Sequence, residues 1–144
     1  MGRGGVGGRL AVLGHHVVGV DLDPALIAAA EQDHPGPAWA VADLAELDLA
    51  AMSLPHEFDV AVSAGNVMAF LDPSTRRGAL ERIGAHLVPG GRLVVGFGAG
   101  RGYAFDEFFD DVAAAGLREE LRLSTWDLRP FTPSSDFLVA VARR

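Results

Sequence analysis

Cysteine is absent from the 144 residues, and so is lysine. The first absence excludes disulfides, thiolate metal sites and a cysteine nucleophile. The second makes all 12 cationic side chains arginine, which we read, beside high alanine and glycine, as GC-rich codon usage rather than a binding signal. Positive charge is scarce: 19 acidic residues leave a formal net charge of −7. A domain so acidic has no electrostatic footprint for nucleic acid or anionic lipid. Long apolar runs are also lacking. The longest are of strand length, far short of the ~20 residues that span a bilayer, and MGRGGVGGRL has no apolar core of a signal peptide. These exclusions lead us to expect a soluble, cytoplasmic protein with no membrane or nucleic-acid partner, and they leave oligomeric state open. With 49% apolar and 22% charged residues, the chain has a globular balance. Its length suits one domain over residues 1–144.

What is present is an alternation of short apolar runs with helix-patterned stretches, the pattern of an α/β protein with a parallel sheet. His16 to Val20 is a β-branched run ending at Asp21. Pro24 to Gln32 then reads as a helix, with Asp23 as N-cap and Pro24 at its first position. Ala38 to Val41 is a short strand, and Phe58 to Ser63 another, apolar on both faces as a buried strand requires. A helix follows from about Ser74 to Leu87, leaving through Pro89-Gly90-Gly91 to a strand from Arg92 to Phe97. Asp106 to Ala115 is a helix stopped by Gly116. Arg118 to Trp126 and Asp136 to Arg143 are strands whose joining segment holds Pro130 and Pro133 and has no room for a crossover helix, so the two pair antiparallel.

Three places carry candidate chemistry. Glycines crowd the segment from Gly2 to Gly8, before a short helical stretch from Arg9 to Leu13, and would let backbone amides approach an anion. Asp21, with Leu22 beside it, ends the next strand, nineteen residues after Gly2. A carboxylate at that position can accept hydrogen bonds from ribose hydroxyls, or serve as a turn residue. Asp43, with Leu44, follows the second strand. It can receive the exocyclic amine of an adenine, or cap a helix. Ser63, Ala64, Gly65 and Asn66 follow the third strand, where open α/β sheets bind ligands. They form either a turn admitting a substrate or an ordinary strand-to-helix loop with Asn66 left-handed.

In order along the chain, GHHVVGVDLDPALIAAA, WAVADLAEL, FDVAVSAGNVMAFLDP, HLVPGGRLVVGF and the closing hairpin resemble the class I S-adenosylmethionine-dependent methyltransferases of the bacterial small-molecule type. The resemblance implies a Rossmann-like sheet with an antiparallel C-terminal hairpin, and S-adenosyl-L-methionine as cofactor. It also implies methyl transfer to a small-molecule acceptor, with no metal. Asp21 would hold the ribose, Asp43 the adenine amine beside Leu44, Gly2 and Gly4 the methionyl end, and Ser63 to Gly65 the sulfonium side. Asn66, Arg101, Tyr103 and Trp126 are candidates for the acceptor pocket, with Tyr103 and Trp126 equally readable as packing residues. No catalytic base is evident, since His15, His16 and His86 read as surface residues.

Aligned on the family, Gly2 and Gly4 fall on the second and third glycines of its cofactor motif. The family's first strand, the acidic residue that ends it and the first glycine lie outside this sequence. We therefore expect a domain incomplete at its amino end, lacking the strand at the middle of the sheet. Burial of the strand's apolar side chains would contribute on the order of 10 kcal/mol, comparable to a whole domain's stability. The polypeptide alone is expected to fold marginally and hold cofactor poorly. Two rival readings stand beside this one. A non-catalytic remnant of such a domain is the first. The second is a nicotinamide-dependent Rossmann oxidoreductase, opposed by the closing hairpin and by the lack of lysine for a Ser/Tyr/Lys set.

Overall fold

The structure, a computed structural model, describes residues 4–144. Its first unit comprises α1 (Gly5–Val12), β1 (Val18–Asp21), α2 (Pro24–Asp33) and β2 (Ala38–Val41), with β1 and β2 parallel. The entry to α2 is as expected: the Asp23 carboxylate accepts from Ala25 N at 2.9 Å and Pro24 takes the first turn. The helix α1 begins four residues earlier than Arg9, inside the glycine run. The reason is packing. Trp39 stands opposite Gly19 in the β1–β2 register, and a β-carbon on Gly19 would fall inside the indole. A β-carbon on Gly4 or Gly7 would lie 2.6 or 2.9 Å from the same ring, and one on Gly8 would strike His34. The indole N–H donates to the His34 carbonyl at 3.0 Å. Glycine here lets a helix and a strand close on one large aromatic ring, which outweighs its poor helix propensity.

The second unit is a sheet of β3 (Phe58–Ser63), β4 (Leu87–Gly98), β5 (Arg118–Leu123) and β6 (Phe137–Arg143), in spatial order β3-β4-β6-β5. The strand β3 is parallel to β4, whereas β6 is antiparallel to both its neighbours. This is the parallel sheet with an antiparallel closing hairpin that the sequence implies. Between β3 and β4 lie α3 (Val67–Phe70), a 3-10 turn (Pro73–Thr75) and α4 (Arg76–Ala85), so the expected single helix is divided. The strand β4 starts at Leu87, before Pro89-Gly90-Gly91, because Leu87 pairs with Phe58 across a bulge and Gly90 supplies φ 79°. The strand β5 stops at Leu123, three residues short of Trp126, where the chain turns through Leu128 at φ 73°.

Leu93, Val95 and Phe97 of β4 share one face with Leu138, Ala140 and Ala142 of β6. They are buried with residues of α4 and of α5 (Phe105–Ala114), including Leu80, Ile83, Phe108 and Val112. The opposite face is treated differently. Expected to be buried on both sides, β3 leaves Val60 and Val62 51% and 41% exposed, since no described helix covers them. The two sheets connect through residues 44–49: the 3-10 turn Leu44–Glu46 packs on α4, and Leu47 and Leu49 are buried. Leu49 N donates to His86 Nε2 at 3.1 Å, and His86 Nδ1 donates to the Arg82 carbonyl at 2.7 Å. His86 is thus a structural tether. Among the described residues no strand lies between β1 and β3, and no helix is long and apolar enough to cross a membrane.

The fit of Trp39 to glycine yields a prediction. Gly19→Ala should destabilise the protein by about 1–3 kcal/mol through overpacking, read as a lower thermal midpoint. Adding Trp39→Leu should recover part of that loss. An unchanged midpoint in the single variant would contradict the packing described.

Candidate functional site

The amino ends of β1, β2 and β3 border one groove through Val18, Ala38 and Phe58, so their carboxyl ends lie on the opposite side. At those carboxyl ends, Asp21 pairs with Val41 in register and Ala42 N donates to the Asp21 carbonyl at 3.0 Å. Asp43 therefore emerges from the strand adjacent to the one that Asp21 ends. Each carboxylate accepts one backbone amide through Oδ1, Asp21 from Asp23 N and Asp43 from Ala45 N, both at 2.9 Å. These bonds orient the side chains and leave each second oxygen without a hydrogen-bond partner among the described residues. Asp21 is half-buried and Asp43 exposed, beside an exposed Leu22 and a half-buried Leu44. Asp43 caps its 3-10 turn, so the turn-forming reading and an outward-facing acceptor coexist in one group.

At the end of β3 the chain turns sharply, with Gly65 at φ 73° and Asn66 at φ 63°. Asparagine tolerates this left-handed conformation better than most residues. Its Oδ1 accepts from Gly98 N at 2.7 Å, joining the carboxyl ends of β3 and β4. Ser63 Oγ is buried there with no partner, and an orphaned hydroxyl at a strand end is a feature that a ligand can satisfy. Gly4 is buried at the amino end of α1 with φ 81°. Gly2 lies outside the described residues.

Beyond β4, Ala99, Gly100 and residues 102–104 border a cavity of about 540 Å³ with Phe105, Glu107 and Ser135. This loop is held from beneath. Arg76, only 5% exposed, donates to the Gly102 carbonyl at 3.1 Å and lays its guanidinium 3.9 Å from the centre of the Tyr103 ring. Tyr103 stacks on Phe97, and its hydroxyl donates to Asp111 Oδ2 at 2.6 Å; Arg77 holds the other oxygen, also at 2.6 Å. Burial first, then the hydrogen bond to Asp111, pushes the Tyr103 phenol far above its ordinary pKa. Arg101 is exposed, its guanidinium near the Cα of Gly98 and the Asn66 amide. Trp126, 48% exposed, lies over Gly96 on the face of the sheet that Val60 and Val62 share.

The structure thus brings Asp21 and Asp43 to adjacent strand ends, Ser63, Gly65 and Asn66 to the next, and Arg101 beside Asn66. Tyr103 is 2% exposed and acts as a pillar of the loop, with its residue bordering the cavity. Sequence reasoning missed Arg76, Asp111 and Trp39. An arginine in the first turn of a helix carries no signal of burial, whereas the glycines spaced around Trp39 did carry one. Among the described residues, no three or more His, Asp or Glu gather to hold a metal ion.

A parallel α/β sheet closed by an antiparallel hairpin, with carboxylates on adjacent strand ends and a small-residue turn at the next, defines a Rossmann-like protein of the methyltransferase type. Residues 1–91 match a family model described as a methyltransferase domain. Among solved structures, the chain is similar to a TehB-like S-adenosylmethionine-dependent methyltransferase from Corynebacterium glutamicum. The identity is 46%, over 98% of this chain and 74% of that one, with a TM-score of 0.92. It shares the fold of an S-adenosylmethionine-dependent methyltransferase from Clostridium acetobutylicum at 11% identity, over 99% of this chain and 80% of that one, TM-score 0.87. It also shares the fold of the N-methyltransferase NodS from Bradyrhizobium japonicum at 22% identity, over 99% and 81%, TM-score 0.74. None of the curated proteins matches. The chain belongs to the S-adenosylmethionine-dependent methyltransferases, which sets the oxidoreductase reading aside.

The Tyr103 pillar has a pH signature. A phenol whose folded pKa is raised contributes its stabilisation fully below the unfolded value of about 10, and loses it as pH climbs further. Stability should therefore fall above about pH 10, and Tyr103→Phe, which keeps the ring, should remove that part of the decline. Tyr103 is the single tyrosine, so alkaline difference absorbance reads it alone. Titration near the ordinary value in the folded protein would contradict the buried hydrogen bond.

Proposed function

We propose that residues 1–144 act as one methyltransferase domain that holds S-adenosylmethionine across the carboxyl ends of β1, β2 and β3 and methylates a small-molecule acceptor. The observation that carries this reading is the pair of carboxylates, Asp21 and Asp43, on neighbouring parallel strands with one oxygen of each uncommitted. Asp21 would accept from the ribose hydroxyls. Asp43 would accept from the adenine amine, with Leu22 and Leu44 offering apolar surface to the base. Gly4, and Gly2 ahead of it, would admit the methionyl end to backbone amides. Ser63, Ala64 and Gly65 would border the sulfonium, where the unpartnered Ser63 hydroxyl finds a use. When bound, the cofactor supplies a methyl group on a cationic leaving group, so the remaining task of the protein is alignment.

The acceptor side follows from the same rim. Asn66 and Arg101 stand at the ends of β3 and β4, and the loop over Tyr103 borders the neighbouring cavity. Trp126 offers an exposed aromatic face further down the sheet. The rim brings polar groups and small residues together where an acceptor would be positioned, and Arg76 and Asp111 keep the loop in place.

The test is calorimetric titration of the chain with S-adenosylhomocysteine. Asp21→Asn and Asp43→Asn should each weaken binding by roughly tenfold or more, the worth of a charge-assisted hydrogen bond. Both side chains carry only local turn bonds, so the thermal midpoint should move little. NADH should not compete. Unaltered affinity in both variants would overturn the proposed site.

A further inference from the structure

The amino end of α5 carries an unanswered charge. Four acids lie on this helix, and three of them meet an arginine. Asp111 bonds to Arg77 and to the Tyr103 hydroxyl. Asp110 acts on Arg77 through space, and Asp106 acts on Arg122. Glu107 has no hydrogen bond or ion pair among the described residues. It is exposed and borders the cavity of about 540 Å³ beyond β4, the single charged residue among the described residues that do so. Helix polarity alone does not call for it, since Asp106 already stands in the same first turn.

The other groups around the cavity leave that carboxylate unbalanced. The Tyr103 hydroxyl is committed to Asp111, and the Ser135 hydroxyl accepts from Thr132 N at 2.9 Å within its own turn. Arg76 is buried against the Gly102 carbonyl and the Tyr103 ring, and Arg101 leans toward Gly98 and Asn66. Neither arginine borders the cavity. The rest of the border is glycine, alanine and Phe105, whose ring meets Phe131 edge-on at 5.6 Å. The side chains open to a guest are therefore one negatively charged hydrogen-bond acceptor and a phenyl ring. An anion would be repelled by the first, and a neutral hydroxyl would leave its charge unanswered. A protonated amine matches both, through a charge-assisted hydrogen bond and attraction to the ring. The volume lies in the range of small-molecule sites. The cavity also adjoins the rim, since Ala99 borders it and follows Gly98, whose N–H donates to Asn66.

We infer that this cavity receives an ammonium group of the methyl acceptor, with Glu107 as its partner, so that the acceptor class is a small amine with an apolar or aromatic body. The inference rests on the reading of the neighbouring strand ends as the methyl-transfer site. Glu107 acts in recognition, and the ammonium serves as a handle.

Binding of primary amines to the isotope-labelled chain, followed by NMR at the amides of Gly100, Gly102 and Ala104, tests this. The probes are butylamine, 2-phenylethylamine and tryptamine, each beside the alcohol and the carboxylic acid of matching skeleton. The aromatic amines should bind about fivefold or more tightly than their alcohols, with the acids weakest. Glu107→Gln should bring each amine to the level of its alcohol, and Glu107→Asp, which keeps the charge, should restore part of the preference. Asp110→Asn, on the same helix but outside the cavity border, should change nothing. That control separates the site from the general pull on cations of a chain with net charge −7. Equal binding of amines and alcohols, an amine preference that survives Glu107→Gln, or tighter binding of the acids would each overturn the inference. So would failure of every amine to bind. The cofactor site is scored separately, because S-adenosylhomocysteine binding should respond to Asp21→Asn and not to Glu107→Gln. Amine binding that depends on Glu107, without cofactor binding that depends on Asp21, would overturn the methyl-transfer reading and keep the amine site. The reverse would overturn the amine site alone.

Discussion

The indole of Trp39 occupies the space that side chains at Gly4, Gly7 and Gly19 would take, and the geometry of the β1–β2 pair depends on it. Because Trp39 stands opposite Gly19, a one-residue slip between β1 and β2 would set a valine beneath the ring. The fit therefore fixes the register, and the register places Asp21 beside the strand from which Asp43 emerges. Two acceptors that carry only local turn bonds of their own are held in position by an aromatic ring packed a few residues away.

The second sheet solves a different problem. Its β4 strand lies buried against α4 and α5 on one face, where Phe97 meets Tyr103, Phe105 and Phe108 at centroid distances of 5.3–5.5 Å. From that rigid floor two hydrogen bonds hold the loops at the strand ends: Asn66 Oδ1 accepts from Gly98 N, and Arg76 donates to the Gly102 carbonyl. A buried guanidinium is expensive; here it rests on the Tyr103 ring and donates one bond to the Gly102 carbonyl, while its Nε is buried without a partner. The loop that borders the 540 Å³ cavity is thereby fixed at both ends. The other face of the same sheet leaves Val60 and Val62 exposed, with Trp126 lying over Gly96.

Much of this was legible from residue order. Alternation of β-branched runs with helix patterns located every strand, Asp23-Pro24 marked the start of α2, and the proline-bearing link before β6 required an antiparallel hairpin. Boundaries slipped where tertiary packing overrode local signals. Gly7 and Gly8 read as loop residues and became helix packed against Trp39 and His34. The bulge between β3 and β4 carried strand pairing past Pro89. Within the candidate site, the strand-end positions of Asp21 and Asp43 were legible because strand ends and turn chemistry are local features. Arg76 and Asp111 could not, since their significance arises from a loop 26 residues away in one case and a tyrosine across a helix turn in the other. The exposure of Val60 and Val62 was hidden for the same reason: a valine run states that a face should be covered and not by what.

The account rests on two carboxylates sharing one nucleoside. A crystal structure of the chain with S-adenosylhomocysteine addresses that most directly. It should show the ribose hydroxyls on Asp21 and the adenine amine on Asp43, with the sulfur toward Ser63 and Gly65. A nucleoside seated elsewhere, for instance in the cavity beside Phe105 and Ser135 with neither carboxylate engaged, would contradict it.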